Sequence, residues 1–149
     1  MAIFDAMLEF SEDQTVTTTA VSDNIIDLVV SDVNLGAGYP MWLNVEVGTT
    51  AFTTGGDEDG TLTVSLRYDT VAPIDGSSTV KYQTAAINEL VLTAGTPIIR
   101  MPLPVAVDEE RIIGLYYTTA NDITAGSINA WIDNGSSSDF NTQVATSNI

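Results

Sequence analysis

Thr61-Leu62-Thr63-Val64-Ser65-Leu66-Arg67-Tyr68 decides the fold, because Leu62, Val64, Leu66 and Tyr68 alternate strictly with Thr61, Thr63, Ser65 and Arg67. A period of two sends the two sets to opposite faces of an extended chain, so the run is a strand with one apolar face. The preceding TTGGDEDG, Thr53 to Gly60, combines glycines that accept positive φ with acids that stay wet, which is turn chemistry. Before that turn, Met41 to Val47 sets Trp42, Asn44 and Glu46 against Leu43, Val45 and Val47, and reads as a strand whose hairpin partner is Thr61 to Tyr68.

Working outward, Ile25 to Val30 is the first strand of the pattern. Beyond a turn over Pro73 to Ser78 come Thr79 to Gln83, Asn88 to Thr93 and Pro97 to Met101, each closed by Gly or Pro. Pro97, Pro102 and Pro104 have no N–H to give a ladder, which assigns that stretch to an edge or a strand end. Arg111 to Thr119 and Ser127 to Ile132 complete the set, with Gly126 and Asn134-Gly135 as turns. Thr and Val recur and no long stretch holds a helical period. About eight antiparallel strands at short spacing describe an all-β, jelly-roll-like β-sandwich with extended termini.

No repeat or linker divides residues 1–149, so one domain is expected, large enough to bury about 68–70% of its unfolded surface. Its ends depart from the pattern. Residues 1–14 read as an N-terminal arm, with a short helical turn over 2–10 that carries Phe4 and Leu8 on one side. Residues 136–149 read as a polar tail with an isolated Phe140.

Charge narrows the function. The chain has 20 acidic residues against 4 basic ones, Arg67, Lys81, Arg100 and Arg111, for a formal net charge of -16. Four scattered bases cannot form the stripe that releases counterions from nucleic acid, and anionic membranes are disfavoured in the same way. No segment offers the ~20 apolar residues of a membrane helix, and Asp5 and Glu9 interrupt what would be the apolar run of a secretory signal. The acidic surplus serves solubility and steers the chain toward basic partner surfaces.

Chemistry is narrowed further by the absence of His and Cys, which removes Ser-His and Cys-His nucleophiles and the usual zinc ligand sets. Carboxylates remain, but most lie at turns, where they are solvated surface rather than a tuned acid-base pair. No enzyme activity and no cofactor are expected. The acidic turn fails a calcium-loop test: aligning Gly60 with the loop glycine leaves Gly55 at the first ligand position and Leu66 where the closing Glu belongs. Trp42, Tyr116, Tyr117 and Trp131 would suit a sugar platform, yet all lie in expected strands, where large aromatics are core or interface. Adjacent Tyr116 and Tyr117 point to opposite faces, so at most one of them is core. Phe4, Leu8, Phe10 and Tyr117 are the candidate protein contacts.

The ordered segments IFDAMLEFSEDQTV, NIIDL, TTAFTTGGDEDGTLTVSLRYDT, LTAGTPIIRMPLP and ERIIGLYYTTANDITAGSINAWI together resemble the jelly-roll capsid cement, or decoration, proteins of tailed bacteriophages, of the Bordetella-phage type. The likeness runs from Ile3 to Ile132. It implies a virion protein, made in the host cytoplasm, that sits on the outer capsid surface, bridges neighbouring major capsid protein subunits and stabilises the shell. It also implies self-association as a homodimer or homotrimer, and it brings no catalytic residues. The alternative from another class is a carbohydrate-binding β-sandwich module used for adhesion.

Overall fold

The computed structural model of the chain describes residues 8–28, 41–104 and 110–133. Among them the strands are β1 (Glu9–Thr15), β2 (Ala20–Val21), β3 (Ile26–Asp27), β4 (Trp42–Val47), β5 (Thr53–Thr54), β6 (Thr61–Asp69), β7 (Thr79–Gln83), β8 (Ile87–Asn88), β9 (Pro97–Pro102), β10 (Ile112–Ala120), β11 (Ile123–Ala125) and β12 (Ser127–Asp133). A four-stranded sheet runs β1-β12-β4-β9 and a larger one β2-β10-β6-β7, with β3 added to β10 and β8 to β6. All pairings are antiparallel. Apart from the β6–β7 hairpin, the main strands alternate between the sheets, and the first lies beside the last. That wrapping is a jelly roll.

Strand alternation builds the core. Leu62, Val64, Leu66 and Tyr68 are fully buried on β6, and β10 sets Ile113 opposite Tyr68, Leu115 opposite Leu66 and Tyr117 opposite Val64. Across the sandwich, β4 contributes Leu43, Val45 and Val47 and β12 contributes Ile132, Ala130 and Ile128 in the same register. Each inner side chain meets a cross-strand neighbour and the facing sheet, so water is excluded from both sides.

Several expectations change. Met41 to Val47 and Thr61 to Tyr68 are not a hairpin, because β4 and β6 belong to different sheets and β4 pairs with β9 and β12. TTGGDEDG is therefore a crossing between sheets, and its first two residues, Thr53–Thr54, pair with β11. The strand expected over Asn88 to Thr93 stops at Asn88. A 3-10 turn, Glu89–Val91, follows it, because the Asn88 side chain accepts the Leu90 N–H and caps that turn. Of Ile25 to Val30, only Ile26–Asp27 is a strand; residues 29 and 30 lie outside the described residues, as do the Asn134-Gly135 turn and the tail 136–149.

The expected N-terminal arm is corrected at its second half, since Glu9–Thr15 is the edge strand β1, with Phe10 fully buried. Its alternation is broken twice against β12, where Ser11 pairs with Ala130 but Gln14 with Ile128. Three steps on one strand match two on the other. Asp13 takes up the extra residue in the left-handed region, at φ 47, which a short polar side chain tolerates. Its Oδ1 accepts from the Ser127 hydroxyl at 2.6 Å and from the Thr49 N–H at 2.7 Å, while its own N–H donates to Asn129 Oδ1. This carboxylate ties the first strand, the last strand and the β4–β5 connection together.

Two outcomes follow. Leu66→Ala, which empties the centre of the core, is expected to lower unfolding free energy by about 2–5 kcal/mol in urea titration, whereas Thr63→Ala on the outer face costs less than about 1 kcal/mol. The Ser127 hydroxyl, then Thr49, hold the Asp13 carboxyl below its usual range. Its stabilisation is present above the unfolded value near about 4 and is lost as pH falls through the lower folded value. Asp13→Asn should melt below the parent at neutral pH, with the gap closing as acid is added, measured by circular-dichroism melting across pH.

Candidate protein-interaction surface

Two of the four candidate contacts are core residues. Tyr117 is fully buried, and its hydroxyl shares a 2.7 Å hydrogen bond with Ser11 across to β1; burial raises its pKa. Phe10 is equally enclosed. Leu8 is half-buried and packs against the core, and Phe4 lies outside the described residues. The parity of β10 explains the correction: Ile113, Leu115 and Tyr117 share the inner face, so Tyr116 is the outward tyrosine.

Tyr116 is nonetheless covered by its own chain. Arg67 lies 4.3 Å from its ring centroid and is only 8% exposed. The guanidinium donates from Nε to Ser65 Oγ and from Nη1 to the Asp75 carbonyl at 2.8 Å. That carbonyl belongs to the β6–β7 connection, which folds over the outer face of the larger sheet and buries Ile74. Gly114 permits the approach, since a Cβ there would come within 2.8 Å of Ile74.

The other bases are also committed. Lys81 Nζ is 2.7 Å from Glu110 Oε2, with both side chains mostly covered, and sits 5.4 Å from the Tyr68 ring centroid. Burial, followed by the Glu110 charge, pushes the Tyr68 hydroxyl up, and that hydroxyl donates to the Pro104 carbonyl. Arg111 lies 3.6 Å from Asp27, and Arg100, though exposed on β9, is also engaged. By contrast Glu12, Asp23, Asp57, Glu58, Asp59 and Asp122 are exposed. The described surface is thus dominated by acids, with Arg67 and Lys81 covered and Arg100 and part of Arg111 left among them.

Backbone addition is discouraged at the described edges of the two larger sheets. β1 has its two register shifts and β9 its prolines at 97 and 102; β7 is shifted at Lys81, and β2 and β3 are two residues each. These are the devices that blunt strand-to-strand association. Among the exposed large apolar groups, Val71 stands in the β6–β7 connection and Val80 and Tyr82 on β7, while Leu90 and Val91 are adjacent in sequence, at 61% and 59% exposure.

Among the described residues no group of three or more His, Cys, Asp or Glu side chains could hold a metal ion. An open groove of about 420 Å³ is lined by Thr17, Thr18, Thr19, Thr119 and residues 120–123, all without an aromatic face. Trp42 and Trp131, the sugar-platform candidates, are half-buried away from that groove, on the outer face of the four-stranded sheet, where the β4–β12 register makes them diagonal neighbours.

A family model, Bbp16, matches residues 10–132. The chain belongs to the Bbp16 family. This is a family of Bordetella-phage proteins. The Bbp16 match begins at buried Phe10 on β1 and ends at buried Ile132 on β12, the two strands that close the four-stranded sheet, so the family unit coincides with the sandwich. A comparison with curated proteins returns no match.

The covering of Tyr116 gives a quantitative expectation. Arg67→Ala removes a ring stack worth about 0.5–2 kcal/mol and a charge-assisted hydrogen bond worth about 1.5–3 kcal/mol. A loss of about 2 kcal/mol or more in chemical denaturation is expected, even though the residue lies on the outer face of its sheet.

Proposed function

We propose that this chain is a capsid cement protein: it binds the outer surface of a phage shell, bridges neighbouring major capsid protein subunits and stabilises the lattice by non-covalent contact. The observation that carries the reading is the strongly acidic exterior of a sandwich that has only four basic side chains, of which Arg67 and Lys81 are covered and engaged within the chain. Membership in a phage protein family supports the setting.

A cement protein holds by repetition. Each contact is modest, but symmetry presents many copies to one lattice, and multiple attachment points multiply residence time. A stiff body suits that task because little conformational entropy is lost on docking. The acids define the complementary surface as basic and speed encounter with it. Within this reading the chain acts by binding and not by catalysis, and its own copies associate on the virion as dimers or trimers.

The test is co-sedimentation of the purified chain with emptied shells that lack it, across a salt series. Binding that weakens steadily from low to high salt is expected, because the attraction between acidic and basic surfaces is screened over about 10 Å at 0.1 M ionic strength. Shells that never retain the chain would overturn the proposal.

A further inference from the structure

The segment Asn88-Glu89-Leu90-Val91-Leu92 inverts the ordinary polarity of a folded chain. Glu89 is 5% exposed, while Leu90 and Val91 next to it are the exposed pair. One carboxylate oxygen of Glu89 accepts from the Thr54 hydroxyl at 2.8 Å; the other is buried with no hydrogen-bond partner. Burying a carboxylate oxygen without a partner costs stability, and two exposed aliphatic side chains forgo the gain that burial would give. A local rule broken twice in one turn, within an otherwise consistent sandwich, marks a position shaped by function.

The turn is also held stiffly. Asn88 Oδ1 accepts the Leu90 N–H at 2.9 Å, the Glu89 N–H donates to the Gly60 carbonyl at 2.9 Å, and the Leu92 N–H donates to the Glu89 carbonyl. Leu92 is buried at 1%, and its carbonyl accepts from the N–H of buried Phe52. Leu90 and Val91 are thus presented on an anchored base, which reduces the entropy lost when they dock. Beside them stands the acidic turn: Asn88 Nδ2 donates to the Glu58 carbonyl at 3.1 Å, and Asp57, Glu58 and Asp59 are all exposed.

We infer that Leu90 and Val91 form an apolar plug, flanked by Asp57–Asp59, that docks into an apolar pocket rimmed by Lys or Arg on the capsid shell. This rests on the cement reading above and names the contact it uses. The charges select the occupant. A second copy of this chain meeting the same patch about a twofold axis would bring acids against acids, whereas a basic rim is attracted.

The test compares Leu90→Asn/Val91→Asn with the parent chain on emptied shells, with Val71→Asn, another exposed aliphatic, as control. Both plug positions are solvated, so unchanged melting is expected. Shell binding should weaken roughly tenfold or more for the double variant and stay at the parent level for the control. Parent-like binding by the double variant overturns the plug and leaves the cement reading standing, while failure of the parent itself to bind overturns both. An equal loss in the control shows a non-specific apolar effect and overturns the plug. So does unchanged shell binding with loss of self-association in light scattering. A second variant, Asp57→Asn/Glu58→Gln/Asp59→Asn, should flatten the salt dependence of binding; an unaltered slope overturns the basic rim.

Discussion

The nine-residue ladder between β6 and β10 is the constraint on which the molecule depends. Its register puts Leu62, Val64, Leu66 and Tyr68 in line with Leu115, Tyr117 and Ile113 on one face, and leaves Arg67, Ser65 and Tyr116 on the other. A slip of one residue would exchange the faces and expose the whole apolar set. Everything attached to the larger sheet, including the Arg67–Tyr116 stack and the connection that covers it, inherits that alignment.

Charge handling follows from the same alignment. Arg67 lies on the outer face opposite Gly114, where the missing side chain lets the β6–β7 connection descend and supply a carbonyl. Lys81 sits at the β7 shift, close to Tyr68 and Glu110. Arg67 and Lys81 act as clasps for a loop and an edge. Most acids of the described turns and loops are left outside, so much of the large negative charge lies on the surface.

Much of the fold was legible because inner strands obey a period of two. β4, β6, β10 and β12 all stand where alternation puts them. Pairing was less legible: a turn between two good strands suggests a hairpin, and nothing local says that Thr53–Gly60 crosses between sheets. β1 was hidden by its irregularity, since buried Phe10 and Ser11 followed by exposed Glu12 and Asp13 match neither a strand nor a helix. The candidate surface was the least legible. Leu90 and Val91 look like ordinary strand residues until Asn88 caps a turn and rotates them outward, and telling outward Tyr116 from buried Tyr117 required the parity of β10.

The pairing of β1 with β12 also orders events in time. The first described strand can complete its hydrogen bonds only with the last, more than a hundred residues later, so during synthesis Phe10 has no finished sheet to enter until β12 has left the ribosome. Closing so long a loop is slow compared with forming local hairpins. A chain that stops short of Ser127 therefore lacks both the partner of β1 and one neighbour of β4, and the four-stranded sheet is split in two.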